Sequence, residues 1–95
     1  MYLKPKANLA VRDVEGEMVV FDRAGGRVHQ LNPTASFVWA TLDGRTDSNE
    51  IAARVAERFA VEAAVASRDV HSLLEQLTAL NLLERGPEGG EHGSE

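Results

Sequence analysis

The chain has 95 residues, with 10 Lys+Arg against 15 Asp+Glu for a net charge of −5, enough for one small domain built round one core. It contains no cysteine, which excludes a disulfide framework, a thiolate metal site and a cysteine nucleophile. No run approaches the roughly 18 apolar residues that span a bilayer, and the N-terminus lacks the apolar stretch of a secretory signal, so a cytoplasmic protein with no membrane partner is expected.

Residues 1–8, with Pro5 between Lys4 and Lys6, read as an extended arm. Residues 9–85 read as the folded domain. Residues 86–95 hold four glycines, one proline and no aliphatic side chain, too little apolar surface to offset the entropy of ordering, and read as a disordered acidic tail. From Leu9 to Leu31 the apolar runs are short and β-branched, and they are interrupted at Glu15-Gly16 and at Arg23-Ala24-Gly25-Gly26. Two Gly-bearing breaks between three runs predict a three-stranded antiparallel meander. A tight turn at Glu15-Gly16 sets Val14 against Glu17, Arg12 against Val19 and Val11 against Val20.

After Leu31 the period becomes helical. Asn32-Pro33 is a start signal, since Asn caps well and Pro at the first helical position has no N–H bond to lose. The first helix runs to about Leu42, burying Phe37, Val38 and Leu42 with Trp39 partly buried, and Asp43-Gly44 stops it. Asp47-Ser48-Asn49-Glu50 has capping-box spacing and opens a second helix with Ile51, Val55 and Phe59 on one stripe. A break at Ala60-Val61 precedes a third helix, from about Glu62 to Leu80, with Ala66, Val70, Leu73, Leu74, Leu77 and Leu80 as its core face. Asn81 takes the left-handed position after it, and Leu82 and Leu83 pack back. The predicted class is α+β and winged-helix-like: a three-stranded antiparallel meander followed by three helices, the second and third forming a helix-turn-helix.

Few residues offer chemistry. His29, His71 and His92 are far apart and read as surface histidines with no metal-ligand spacing. Asp43, Asp47 and Glu50 read as turn and capping groups, Ser36 and Ser72 lack a base partner, and Gly25-Gly26 reads as a hairpin turn. No catalytic residue, metal or cofactor is predicted. A binding module remains, and three versions stay open. One is peptide addition to the free edge of the third strand, Arg27 to Leu31, with the long helix flanking it as an apolar-floored groove. A second is a partner or regulatory subunit that binds a folded protein. The third is a winged-helix DNA-binding protein, disfavoured because residues 31–85 carry a net −3 and the third helix offers only Arg68 against Glu62, Asp69 and Glu75. The edge strand alternatively binds nothing, or pairs with a second copy, so monomer and homodimer are both compatible.

The segment from Val28 to Gly44, VHQLNPTASFVWATLDG, followed by Thr46 and Glu50-Ile51, resembles the signature of the PqqD family of small peptide chaperones, also called recognition elements for ribosomally synthesised, modified peptides. The similarity extends over about residues 9–83 and includes Glu15-Gly16-Glu17 and the closing Leu77-x-x-Leu80-Asn81-Leu82-Leu83. The resemblance implies a non-enzymatic protein that binds the leader of a precursor peptide by strand addition and presents it to a modifying enzyme, often a radical SAM protein. It points to Arg27, Val28, His29, Gln30 and Leu31 on the strand. On the third helix it points to Arg68, His71, Ser72 and Glu75, with Val70 and Leu74 at the apolar margin. Asn81-Leu82 stands where a Gly-Trp pair is expected in the pyrroloquinoline quinone pathway member, so the pathway stays open, lasso peptides included.

Overall fold

The computed structural model describes residues 1–86; of the tail expected over residues 86–95, all but Gly86 lies outside them. In chain order the elements are β1 (Leu3–Pro5), β2 (Leu9–Val14), β3 (Glu17–Asp22), β4 (Arg27–Gln30), α1 (Pro33–Thr41), α2 (Ser48–Phe59), α3 (Ala63–Ala79) and β5 (Leu83–Arg85). The strands β2-β3-β4 form the predicted antiparallel meander, and Val14, Arg12 and Val11 oppose Glu17, Val19 and Val20 in the predicted register. The turn that fixes this register has Glu15 at φ 55° and Gly16 at φ 86°, the positive pair that a two-residue hairpin loop needs to match the twist of its strands. The Gly16 N–H donates to Asp13 Oδ1 at 2.9 Å.

The arm at the N-terminus is extended, but it belongs to the folded body. β1 pairs antiparallel with β5, Leu3 opposite Arg85 and Pro5 opposite Leu83, and Leu3 joins the core. Each strand has only three residues and the two lie at opposite ends of the chain, so neither leaves a periodic signal in the sequence. Gly86 belongs to the same body rather than to the tail. It is buried, its N–H donates to the Tyr2 carbonyl, and a Cβ there would overlap the Gly44 backbone.

Local chemistry sets the helix ends. Asn32 accepts from the Ala35 N–H at 2.8 Å with Pro33 opening α1. Two burial expectations within α1 are reversed: Trp39 is buried at 5% exposure, whereas Phe37 is half-buried and meets Phe59 edge-on at 5.7 Å with the Arg58 guanidinium over both rings. The indole fills the core that the sequence assigned to the phenyl ring. α2 stops at Ala60 in the left-handed conformation, and Asn81, at φ 65°, takes the same region after α3. Leu82 and Leu83 then return to the core.

The capping box at α2 is half formed. Asp47 accepts from the Asn49 N–H at 3.0 Å and meets the Met1 ammonium at 2.7 Å, whereas Glu50 turns forward to pair with Arg54 at 2.8 Å. That ammonium first, and the Asn49 N–H next, hold the Asp47 carboxyl below its ordinary value of 3.8. A lowered folded-state pKa stabilises fully above the unfolded value, and the contribution disappears as pH falls through the folded one. Asp47→Ala is therefore expected to cost about 1 kcal/mol near neutrality. Melting curves are expected to show the gap to the parent protein narrowing as the pH falls below the ordinary carboxyl value of 3.8; a gap that stays constant as the pH falls through the acid range contradicts the assignment.

Candidate functional site

Among the described residues the meander has a free edge at β4, and its hydrogen-bonding phase follows from one bond. The Leu31 N–H donates to the Met18 carbonyl at 2.8 Å, which makes 31 opposite 18 a hydrogen-bonded pair in continuation of Gln30 opposite Val19. Antiparallel ladders alternate, so His29 and Arg27 also turn their backbone groups inward to β3, while Val28 and Gln30 turn theirs outward. The free edge thus offers two N–H and C=O sets, at Val28 and Gln30. Side chains alternate too. His29 and Leu31 lie on the helix side of the sheet, Leu31 buried and His29 half-buried, whereas Val28 and Gln30 are exposed.

Ser36 holds this end of the strand in place. Buried at 4% exposure, it accepts from the Met18 N–H at 2.8 Å and donates to the Leu31 carbonyl at 3.2 Å, tying α1 to the end of both strands. The sequence showed only a serine without a base. A hydroxyl one turn inside a helix that follows a strand directly was the available signal for a bridging role.

Beside the free edge runs a groove of about 390 Å³, lined on one side by Val28, His29, Gln30, Leu31, Asn32 and Ala35 and on the other by Leu73, Gln76, Leu77 and Leu80 of α3. It continues past Leu73 to Asp69 and Thr34. Leu80, expected in the core, is 40% exposed, and Leu73 is half-buried. Both are groove walls, on the stripe Asp69, Leu73, Gln76, Leu77 and Leu80 that recurs at helical spacing. The apolar face of α3 is wider than one core requires, and that excess was the sequence signal for a second contact surface.

The helix residues expected at the site lie elsewhere. Val70 and Leu74 are buried at 1% and 2% exposure in the core, and Arg68 and Ser72 face solvent. His71, Leu74 and Glu75 line a different cavity, of about 540 Å³, with Met1, Leu3, Thr78, Ala79 and β5. The rotation of α3 decides this. A stripe centred on Ala66, Val70, Leu74 and Leu77 turns Leu73 toward β4 and His71 away from it. His71 is not a surface histidine but a bridge: Nδ1 is 2.7 Å from the Ser67 carbonyl, which only accepts, so Nδ1 carries the proton and Nε2 receives the Ser48 hydroxyl at 3.3 Å. It locks α3 to the start of α2. Of the expected strand residues, Val28 to Leu31 line the groove and Arg27 lies at its exposed end.

The remaining polar clusters are structural. Asp43 accepts from the Arg45 and Thr46 N–H groups at 2.8 and 2.9 Å; the Arg45 bond leads in holding its carboxyl below the usual range. Among the described residues no group of three or more acidic, His or Cys side chains is placed to hold a metal ion, and no helix is long and apolar enough to cross a membrane.

An unpaired strand edge flanked by an apolar helix groove is the arrangement by which small domains accept an extended peptide as an added strand. The chain belongs to the PqqD family: the family described as coenzyme PQQ synthesis protein D matches residues 17–83. No curated protein matches it. Three solved structures share the fold. The chain is similar to lasso peptide synthetase B1 complexed with the leader peptide, at 23% identity and a TM-score of 0.79 over 88% of this chain and 99% of that one. It is similar to TbiB1 in complex with the TbiA(beta) leader peptide, at 22% and 0.78 over 85% and 94%. It is also similar to the PqqD truncation of Methylobacterium extorquens PqqCD, a stand-alone recognition element, at 22% and 0.72 over 87% and 88%.

Proposed function

We propose that this protein binds the leader segment of a ribosomally made precursor peptide as a fourth strand on β4 and presents it to a separate modifying enzyme, a radical SAM protein being one class. The observation that carries the reading is the outward pair Val28 and Gln30 on a free edge that shares its groove with Leu73, Leu77 and Leu80. Family membership and the likeness in fold to leader complexes support it. The opposite edge suits it less, because β2 is exposed on both faces from Val11 to Val14 and bears Arg12 and Asp13, a charged edge of the kind that discourages pairing. The chain contributes recognition, and bond-making belongs to the partner.

Main-chain bonds supply affinity and the groove supplies selection. A peptide of about ten residues that orders on binding reaches micromolar to submicromolar affinity, about −8 to −9 kcal/mol, which suits a carrier that releases its cargo. Titrating the labelled protein with short peptides encoded beside its gene is expected to shift backbone resonances of residues 27–31 and of Leu73, Gln76, Leu77 and Leu80. Shifts confined instead to Met1, His71, Glu75 and Glu84 would place the peptide in the other cavity and overturn the reading.

A further inference from the structure

Among the described residues one buried side-chain polar atom is left unsatisfied, and it belongs to a residue of the groove wall. His29 Nε2 is buried and finds no hydrogen-bond partner among the described residues, although its ring lines the space between β4 and α3. Buried polar groups are nearly always bonded, so an orphan in a ligand groove marks a place where the ligand completes the bonding. The backbone phase shows which ligand position this is. A strand added antiparallel to β4 exchanges main-chain bonds with Val28 and Gln30, so the residue opposite His29 falls in a non-hydrogen-bonded pair. There the two side chains come closest, on the helix side of the sheet. The next position on that side, opposite Leu31, faces the aliphatic wall of α3.

The chemistry of that side chain follows from the lining. Of the ten residues round this part of the groove none is an acid, a lysine or an arginine, and Asp69 lies only in its continuation past Leu73, so a carboxylate or ammonium opposite His29 would be desolvated without a fixed counter-ion. Nε2 donates or accepts according to tautomer, and Gln76, across the groove on α3, offers both functions. A hydroxyl or carboxamide satisfies every combination. We propose that His29 selects the cargo: the bound peptide carries Ser, Thr, Tyr, Asn or Gln opposite His29 and an aliphatic residue two positions away, opposite Leu31. This rests on strand addition to β4 and goes beyond it by naming the side-chain class that the groove selects.

The test pans a displayed library of random twelve-residue peptides on the full chain and on His29→Leu and His29→Phe, each first shown to be folded by its amide spectrum. The parent protein is expected to enrich a hydroxyl or carboxamide two positions from an aliphatic residue, and both variants to replace the polar residue by an apolar one. Replacing that residue by alanine in a selected peptide is expected to cost the parent about tenfold in affinity and the variants less than about twofold. On the parent protein alone, the same peptide is expected to move the His29 Nε2 nitrogen resonance, and its alanine version to leave it in place. A shared consensus in all three proteins, or an apolar residue at that position with the parent, overturns the role of His29 while strand addition stands. Failure of the parent to enrich any peptide overturns the reading on which it rests.

Discussion

Val28→Pro is expected to abolish leader binding while leaving the domain folded, and His29→Pro, one residue along, is expected to damage the fold itself. The difference comes from the ladder phase. The Val28 N–H points off the free edge, so proline there removes a donor that β3 does not use, and proline is tolerated on edge strands with that side facing out. The His29 N–H points toward Val20, its partner in β3, a residue with 0% exposure; proline there removes a ladder bond inside the sheet. For Val28→Pro the peptide loses one hydrogen bond, and one of its carbonyls is left unpaired against the edge. Together these are worth about 2 kcal/mol or more, at least about thirtyfold in affinity. Calorimetric titration of both variants, with thermal melts alongside, measures the split. Equal effects on binding and melting at both positions contradict the assigned phase.

Leu82→Ala is expected to produce the largest loss of stability among single changes in the closing segment. Leu82 is fully buried at 0% exposure. Its N–H returns to the Leu77 carbonyl at 3.1 Å and its carbonyl accepts from the Lys6 N–H at 3.0 Å, so it sits where α3, the Asn81 turn and β1 meet. Truncating such a leucine costs about 2–5 kcal/mol, lost transfer energy plus the cavity left behind. A domain of this size has about 5–13 kcal/mol in total. The melting temperature is expected to fall by about 10 °C or more. Leu80, two residues earlier and 40% exposed, is the internal control. Leu80→Ala removes surface already facing the groove and is expected to cost about 1 kcal/mol or less in stability while weakening peptide binding. Equal melting shifts for the two variants contradict the division between core and groove.

That division marks the limit of what the sequence made legible. Short-range chemistry was readable: Glu15-Gly16 fixed the hairpin register, Asn32-Pro33 the start of α1, and Asn81 the exit from α3, each through backbone preferences confined to a few residues. The strand half of the site was readable for the same reason, since an edge is defined by strand order. The helix half was not. Ala66, Val70, Leu73, Leu74, Leu77 and Leu80 form one broad apolar stripe, and sequence alone does not say which flank meets the core and which meets the groove. A rotation of α3 that buries Val70 and Leu74 exchanges His71 and Glu75 for Gln76 and Leu80 as groove residues. The β1–β5 pair escaped because three-residue strands 80 positions apart carry no period, and the roles of Ser36, Ser48 and His71 because each is set by a partner distant in the chain.

Amide hydrogen exchange at four adjacent residues tests strand addition to β4 most directly. In the free protein the His29 and Leu31 amides, bonded to β3, are expected to exchange slowly, and the Val28 and Gln30 amides, facing out from the edge, to exchange fast. With a bound leader peptide, Val28 and Gln30 are expected to become protected together while the inward pair changes little. Binding that leaves the Val28 and Gln30 amides as fast as in the free protein would contradict strand addition to β4.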